Sequence, residues 1–257
     1  MGGRKIKHLT LLQRPFALNL CKAYRITATS SATVLAGLIP LHIRAEQKSV
    51  YTTLIYLRKD ATLDNITYSP LQFQSPGNTF HSHPARKGTG ISINISRIQP
   101  LSVTRVSRDT QIYTDGSKQE DGVGSAFAHY DKGRIIHVWK GRLDLNKSVL
   151  QADVQAIITA VDYIFNNNIE RAKIFTDCMS TLLALDNHNH TSPLIIKLQQ
   201  LLQRNPQKHL SLTWIKEHAE NEGNEAADSL AKQAATDENI TIPALLPTSK
   251  GYYEVKA

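Results

Sequence analysis

Two short segments of this chain nearly repeat each other, and each ends on a carboxylate. They read Ile-Tyr-Thr-Asp at residues 112–115 and Ile-Phe-Thr-Asp at residues 174–177. Because β-branched and aromatic residues favour strands, each segment predicts a short strand that ends at its aspartate. Side chains alternate along a strand, so each aspartate shares a face with the aromatic residue two positions before it. If the two strands are neighbours in an open α/β sheet, Asp115 and Asp177 meet at the edge where such sheets bind ligands.

Two carboxylates at close range repel each other, so this arrangement calls for a cation between them. A hard divalent metal ion bound by oxygen atoms is the natural candidate. The simpler alternative is a pair of solvated aspartates, or aspartates that cap the helices that follow the strands. The remainder of the chain decides between the two.

Composition limits the class of protein. The chain is 41% hydrophobic and 20% charged, which is typical of soluble globular proteins. Its longest apolar run, residues 34–43, is too short to span a membrane and is broken by Pro40 and His42. Two cysteines, Cys21 and Cys178, cannot form a disulfide framework, and no signal-peptide core is present. We therefore expect an intracellular protein, in the cytoplasm or nucleus, that is neither secreted nor membrane-bound.

Charge is unevenly distributed along the chain. Residues 1–110 contain 15 Lys and Arg against 4 Asp and Glu, whereas residues 111–257 contain 15 against 18. A basic front half joined to a mildly acidic back half favours a polyanionic partner held near a metal site. A basic segment that serves only solubility is the alternative.

The first 60 residues predict three helices. The first has an apolar stripe at spacings of three and four, the second follows a pair of serines that can cap it and ends at Gly37, and the third begins near Pro40. The stripe consists of Leu9, Leu12, Phe16, Leu20 and Tyr24. From residue 61 to 106 the pattern predicts a linker with at most one strand, near residues 91–98. His81 and His83 in this linker are better explained as part of a polar loop than as metal ligands.

From residue 107 the order of elements is β-β-β-α-β-α-α-β-α. The first three strands form an antiparallel meander with a hairpin turn at residues 131–133. The helix after them has a core-facing stripe of Leu150, Val154, Ile157, Val161 and Ile164. The predicted fold class is therefore α/β, with a mixed five-stranded sheet flanked by helices and an N-terminal helical appendage.

Two further acids fall where they can join the strand-end pair. Asp153 lies in the first turn of the helix at 150–164, where either the helix dipole or the site beside Asp115 explains it. Asn224 and Asp228 share one face of the last helix, whose alanines allow it to lie close to the sheet. The predicted ligand set is thus Asp115, Asp153, Asp177 and Asp228. Oxygen-only ligation favours Mg²⁺, with Mn²⁺ able to substitute, and two such ions about 4 Å apart suit in-line phosphodiester hydrolysis.

These residues resemble type 1 ribonuclease H over about 130 residues. The matching motifs, in chain order, are Thr114-Asp115-Gly116-Ser117, Ala152-Asp153, Thr176-Asp177, Trp214 with His218, and Gly223-Asn224-Glu225-Ala226-Ala227-Asp228. The resemblance implies a ribonuclease H-like fold and cleavage of the RNA strand of an RNA–DNA hybrid. It also implies that the aspartates bind metal and that His218 assists product release or proton transfer. Gly116, Ser117 and Asn224 would contact the substrate.

This chain departs from that family at Asp153, where the family has Glu. The side chain is shorter by one methylene, roughly 1.5 Å. A misplacement near 1 Å can cost on the order of 100-fold in rate, so we expect a slowed nuclease. Glutamates 217, 220 and 222 around His218 add negative charge and should weaken the approach of a polyanion modestly.

A second resemblance covers about forty residues near the N-terminus. Leu12-Gln13-Arg14, Ala23-Tyr24-Arg25, Val34-Leu35-Ala36-Gly37 and Pro40-Leu41 resemble the helical segment behind the polymerase palm of non-LTR retrotransposon reverse transcriptases. No Tyr-x-Asp-Asp polymerase motif is present. The implied organisation is a post-palm helical segment at 1–60, a linker at 61–106, a ribonuclease H domain at 107–240 and a tail at 241–257. An upstream polymerase region of the same element would then be a further partner.

Two other functions stay open at this point. One is a non-catalytic module that grips hybrid or RNA without cutting it, which Asp153 favours. The other is a different enzyme of the same broad fold, such as a transposase or integrase. Those enzymes share an acid-rich site but lack the Gly-Asn-x-x-Ala-Asp helix seen here.

Overall fold

The structure, a computed structural model, describes residues 2–75, 92–95, 109–187, 189–204, 208–217 and 221–240. They form two compact units, one at residues 2–75 and one from residue 92 onward. No helix within the described ranges is long and apolar enough to cross a membrane. The predicted loop histidines, His81 and His83, and the predicted tail lie outside the described residues.

The N-terminal unit contains three helices and a short hairpin. The helices are α1 (Gly3–Leu20), α2 (Thr29–Leu35) and α3 (Leu41–Ile55). Strands β1 (Ala61–Leu63) and β2 (Ile66–Tyr68) follow and pair antiparallel, and a 3-10 turn covers Pro70–Gln72. Residues 61–75, which we expected to begin the linker, therefore contain regular structure and belong to this unit.

The three predicted helices are confirmed, but the burial of α1 and the cap of α2 differ from the prediction. The apolar stripe of α1 is largely exposed: Phe16 is 70% and Leu20 is 64% exposed, and among the residues described in α1 only Ala17 is buried. The predicted serine cap of α2 is wrong, because the helix begins at Thr29 and Ala28, which cannot cap with its side chain, precedes it.

The second unit is built on a mixed six-stranded sheet. In space the strands follow the order β3-β8-β7-β4-β5-β6, and β4 is central to the site described below. Strands β4, β5 and β6 are antiparallel, while β7 and β8 extend the sheet from β4 in parallel. The five predicted strands are confirmed, and the short β3 adds a parallel edge beside β8. Their bounds are β3 (Ser92–Asn94), β4 (Thr110–Lys118), β5 (Val123–Asp131), β6 (Arg134–Leu143), β7 (Arg171–Thr176) and β8 (His209–Trp214).

Helix α4 (Val149–Asn166) covers one face of this sheet, with α5 (Met179–Asp186) and α6 (Pro193–Gln203) packed beside it. Four residues of its predicted stripe are buried, whereas Leu150, at the start of the helix, is 39% exposed. The stripe packs in one core with Ile112 of β4 and Ile174 of β7. Ser148 caps the helix through a capping box with Gln151.

Helix α7 (Glu222–Thr236) covers the opposite face. A Cβ on Gly124 would overlap the carbonyl oxygen of Ala231, so glycine is what lets α7 lie directly on β5. Tyr113 and Phe175 pack under α7 against Ala227. Strand alternation therefore directs the two isoleucines toward α4 and the two aromatic residues toward α7, and it places Asp115 and Asp177 on the α7 side.

Candidate active site

Asp115 and Asp177 lie side by side at one edge of the sheet. The prediction that the first strand ends at Asp115 is wrong: β4 continues to Lys118 because these residues still pair with β5, whereas β7 ends at Thr176, one residue before Asp177. Strands β4 and β7 are parallel neighbours, with Thr114 opposite Thr176, so Asp115 and Asp177 follow at the same level. The Thr114 hydroxyl donates to the Phe175 carbonyl at 3.2 Å, which adds a side-chain bond to the backbone register. The near-repeat in the sequence thus becomes a pair of adjacent carboxylates.

The third acid, Asp153, reaches the same place from α4. A Cβ built on Gly116 would lie 2.7 Å from Asp153 Oδ1 and 2.6 Å from its backbone nitrogen, closer than side chains tolerate. Only glycine after Asp115 therefore lets the first turns of α4 approach the end of β4. The Ser125 hydroxyl donates to the Ala152 carbonyl at 2.7 Å and holds α4 on the sheet. Asp153 is 4% exposed, so it faces the site and not solvent.

Helix α7 brings two more polar residues to this edge. Asn224 Nδ2 donates to Asp177 Oδ2 at 3.0 Å, and Asn224 is buried. One turn later Asp228 accepts a hydrogen bond of 2.6 Å from the ammonium of Lys232. Asp177 is also fixed through its backbone, since the Trp214 indole donates to its carbonyl oxygen at 3.0 Å.

Burial and mutual repulsion change the acidity of this cluster. Burial, and then the charges of Asp177, Asp153 and Asp228, raise the pKa of Asp115 to about 8. Burial is also the main cause that raises the pKa of Asp153 to about 7. The pKa of Asp177 is raised by burial despite the opposing hydrogen bond from Asn224. At neutral pH the cluster must therefore hold protons or a cation.

All four predicted acids line one cavity of about 310 Å³. The three residues predicted to contact substrate, Gly116, Ser117 and Asn224, line it as well. The fifth predicted catalytic residue, His218, lies outside the described residues. The cavity also contains side chains to which the sequence prediction gave no site role, namely Lys118, Val149, Cys178, Glu225 and Lys232.

A family model described as RNase H matches residues 107–236, which is half of the chain and contains every acid of this cavity. The chain belongs to the RNase H family. The fold is accordingly RNase H-like, and the matched residues, called the RNase H domain below, fall within the second of the two units described above.

Solved structures of low sequence identity are similar to about half of the chain. RNase H1 from Halobacterium salinarum is 17% identical with a TM-score of 0.42, and the match covers 49% of this chain and 96% of that one. The N-terminal RNase H domain of a Mycobacterium tuberculosis protein is 18% identical with a TM-score of 0.39, covering 50% and 94%. LC11-RNase H1, solved in complex with an RNA/DNA hybrid, is 17% identical with a TM-score of 0.39, covering 49% and 96%. A search of curated proteins found no match.

RNase H enzymes use divalent metal ions, and the donors of this cavity fit such ions in type and charge. All four acids offer oxygen atoms, which hard cations prefer, and a cation would offset the burial and the mutual repulsion that raise the pKa values of Asp115 and Asp153. Within the described ranges no three acidic, cysteine or histidine side chains already form a closed coordination group. Asp177 and Asp228 instead accept hydrogen bonds from the neighbouring donors Asn224 and Lys232.

The sequence contains only a weak indication that the unpredicted cavity residues belong to the site. Lys232 stands four positions after Asp228 on α7, a spacing that forms ion pairs on helices. Cys178 directly follows Asp177, but nothing in the sequence alone indicates that its thiol and Asp153 of α4 line the same cavity.

Proposed function

We propose that the RNase H domain hydrolyses the RNA strand of RNA–DNA hybrids in a reaction that depends on Mg²⁺, with Mn²⁺ able to substitute. The observation that carries the proposal is the convergence of four carboxylates on one cavity. They come from β4, from the end of β7 and from two helices on opposite faces of the sheet, in a chain of the RNase H family.

Asp115 is the acid on which the others converge. It interacts electrostatically with Asp153, Asp177 and Asp228, so we assign it as the ligand shared between two ions. Asp153, which is buried, and Asp177 and Asp228, which are both half-buried, would complete the site. When bound, two such ions activate water and neutralise the charge that develops on the leaving oxygen.

Asn224 supports RNA as the strand that is cut. Its Nδ2 holds Asp177, while its buried Oδ1 has no hydrogen-bond partner among the described residues. A buried acceptor without a donor is costly, and a ribose 2′-hydroxyl, which DNA lacks, would supply one. Gly116 and Ser117 would lie along the phosphates, and His218 would assist proton transfer or product release.

A strand-specific cleavage assay tests this function. The full chain is incubated with a hybrid labelled separately on each strand, with Mg²⁺ or with EDTA, and Asp115→Asn serves as the matched control. We expect cleavage of the RNA strand only, dependent on Mg²⁺ and lost in Asp115→Asn. Cleavage of the DNA strand, or equal cleavage by Asp115→Asn, would reject the proposal.

The second candidate is a module that binds hybrid or RNA and cuts it slowly or not at all. It is favoured by Asp153, whose carboxylate stands one methylene nearer to its helix than the glutamate of the family. If the short side chain of Asp153 limits the cleavage rate, Asp153→Glu should cut the hybrid faster than the wild type. An unchanged or lower rate would show that reach is not the limit.

We further propose that the domain derives from a non-LTR retrotransposon polyprotein. The support is the resemblance of residues 12–41 to the segment behind a polymerase palm, together with the order of that segment before an RNase H domain. An upstream polymerase region that co-purifies with this chain, or genomic sequence encoding one in frame before Met1, would test this origin.

A further inference from the structure

Lys118, the last residue of β4, lies on the wall of the acidic cavity, and its ammonium is held in place. Its backbone pairs with Val123 of β5, so the sheet fixes the base of the side chain. Its Nζ donates to the carbonyl oxygens of Leu145 and Lys147, each at 3.1 Å, in the loop between β6 and α4. The side chain is therefore anchored at both ends, although the residue is exposed to solvent.

The ammonium of Lys118 keeps a donor and a charge to offer. Both of its acceptors are neutral carbonyl groups, and no carboxylate within the described ranges forms an ion pair with it. An ammonium carries three N–H donors, so one remains after the two carbonyls are served. Lys232, the second lysine on the cavity wall, differs because its ammonium is paired with Asp228 at 2.6 Å.

The remainder of the cavity wall is strongly acidic. Six carboxylates and two lysines line it, counted over the part of the chain that the structure describes. A nucleic-acid backbone is repelled by carboxylates that no ion covers, so an ammonium without a carboxylate partner marks the part of the wall that attracts a phosphate. Strand alternation places Lys118 on the α4 side of the sheet and Asp115 on the α7 side, so Lys118 borders the ion-binding acids.

We propose that Lys118 binds a backbone phosphate of the hybrid, with its third N–H donating to a non-bridging phosphate oxygen. The inference rests on the proposed nuclease function and deepens it, because it names a residue that seats the substrate beside the ions. Since both ends of the side chain are already fixed, phosphate binding orders little that was mobile. The RNA strand and the DNA strand present the same phosphate oxygens, and the experiment separates the two strands.

The salt dependence of hybrid binding tests this contact without cleavage. Anisotropy of a labelled hybrid is measured with the full chain in the Asp115→Asn background, with Mg²⁺ present. Lys118→Met keeps the length of the side chain but loses its charge. It should raise Kd about tenfold near about 0.1 M salt and flatten the slope of log K against log salt by about one. With active enzyme, Lys118→Met should raise KM and change kcat less than about twofold.

Three further variants separate phosphate binding from a role in holding the loop. Lys118→Arg keeps the charge and should keep the salt slope, whereas Lys118→Gln keeps a donor for the loop carbonyls and should behave like Lys118→Met. Lys132→Met removes an equal charge from the hairpin turn at the other end of β5 and should leave the slope unchanged. Thermal unfolding of each variant is recorded in parallel.

Neutral methylphosphonate linkages, placed one at a time in each strand, locate the phosphate. One linkage should weaken binding about tenfold when Lys118 is present and less than about twofold in Lys118→Met, because the contact is lost only once. The strand that carries this linkage is the strand that Lys118 holds. If every linkage weakens both proteins equally, Lys118 contacts no phosphate.

The proposal is overturned if Lys118→Met keeps the salt slope, if Lys118→Gln restores it, or if Lys132→Met flattens it as much. Its failure is distinct from that of the nuclease. If the binding pattern holds but the wild type does not cleave hybrid, the nuclease proposal fails and the role of Lys118 stands. If the wild type cleaves hybrid and Lys118→Met changes neither KM nor the salt slope, the role of Lys118 fails and the nuclease stands.

Discussion

Helices α1 and α4 are each 18 residues long, and each carries an apolar stripe that the sequence shows clearly. The stripe of α4 is buried almost completely, whereas most of the α1 stripe faces solvent. The difference lies in what each helix meets. A sheet with isoleucines on this face lies under α4, while α1 packs on α2 and α3, and the small residues Ala17 of α1 and Ala32 of α2 are buried. Periodicity therefore specifies a helix, and burial depends on a partner surface that periodicity does not describe.

The two units also differ in charge. Residues 2–75 contain 10 Lys and Arg against 3 Asp and Glu, and their exposed side chains are spread over helices without a shared acidic pocket among the residues described. The RNase H domain concentrates its buried acids in one cavity. A rigid sheet edge can hold like charges close together. The electrostatic free energy that this arrangement costs would be offset by ion binding.

The largest expected effect is a loss of hybrid cleavage, which a substitution in the cavity should cause and a substitution in the N-terminal unit should not. Asp177→Asn should lower hybrid cleavage at least about 1,000-fold, roughly 4 kcal/mol in transition-state free energy, because a ligand charge is lost while the Asn224 contact can persist. Asp64→Asn, an equal change in the exposed hairpin turn of the N-terminal unit, should leave the rate unchanged. Single-turnover cleavage of a labelled hybrid measures both, and equal losses would show that the chemistry is not confined to the cavity.

The next effect separates the two helices by stability. Ile157→Ala removes a fully buried side chain of α4 and should cost about 2–5 kcal/mol in the free energy of unfolding. Leu12→Ala, on the exposed stripe of α1, should stay within about 0.5 kcal/mol. Urea unfolding followed by circular dichroism compares them. A cost for Leu12→Ala as large as that for Ile157→Ala would mean that the α1 stripe is covered in solution.

A third effect depends on pH. The pKa of Asp115 is raised from 3.8 to about 8 in the folded protein, so the metal-free native state binds more protons than the unfolded state between those values. Its stability should fall as pH rises from about 4 to about 8, and Asp115→Asn should escape that loss. In EDTA the variant should melt roughly 3–8 °C above the wild type at pH 8.5 and close to it at pH 4.5. Added Mg²⁺ should narrow the gap at pH 8.5; a gap that is the same at both pH values would contradict the raised pKa.

The smallest effect concerns helix caps. Ser148→Ala removes the side-chain cap of α4 and should cost about 1 kcal/mol. Ala28→Ser introduces a capping hydroxyl before α2, which has none, and should add about 0.5 kcal/mol to the N-terminal unit. Thermal unfolding measures both changes, and a destabilising Ala28→Ser would show that the backbone at Ala28 does not accept a cap.

The sequence predicted the strands, the α4 stripe and the four acids because each depends on local alternation, helical spacing or a motif. It did not predict the exposed stripe of α1 or the early start of α2, which depend on tertiary packing. The pairings of Asn224 with Asp177 and of Lys232 with Asp228 needed the structure as well. The first joins residues 47 positions apart, and the second is one of several ion pairs that helical spacing allows.

Anomalous diffraction from crystals grown with Mn²⁺ tests the central claim most directly. The account predicts Mn²⁺ bound within coordination distance of Asp115 and of at least one of Asp153, Asp177 and Asp228, and absent from crystals of Asp115→Asn. Mn²⁺ that binds only elsewhere, or that binds the Asp115→Asn cavity as well as the wild-type cavity, would contradict it.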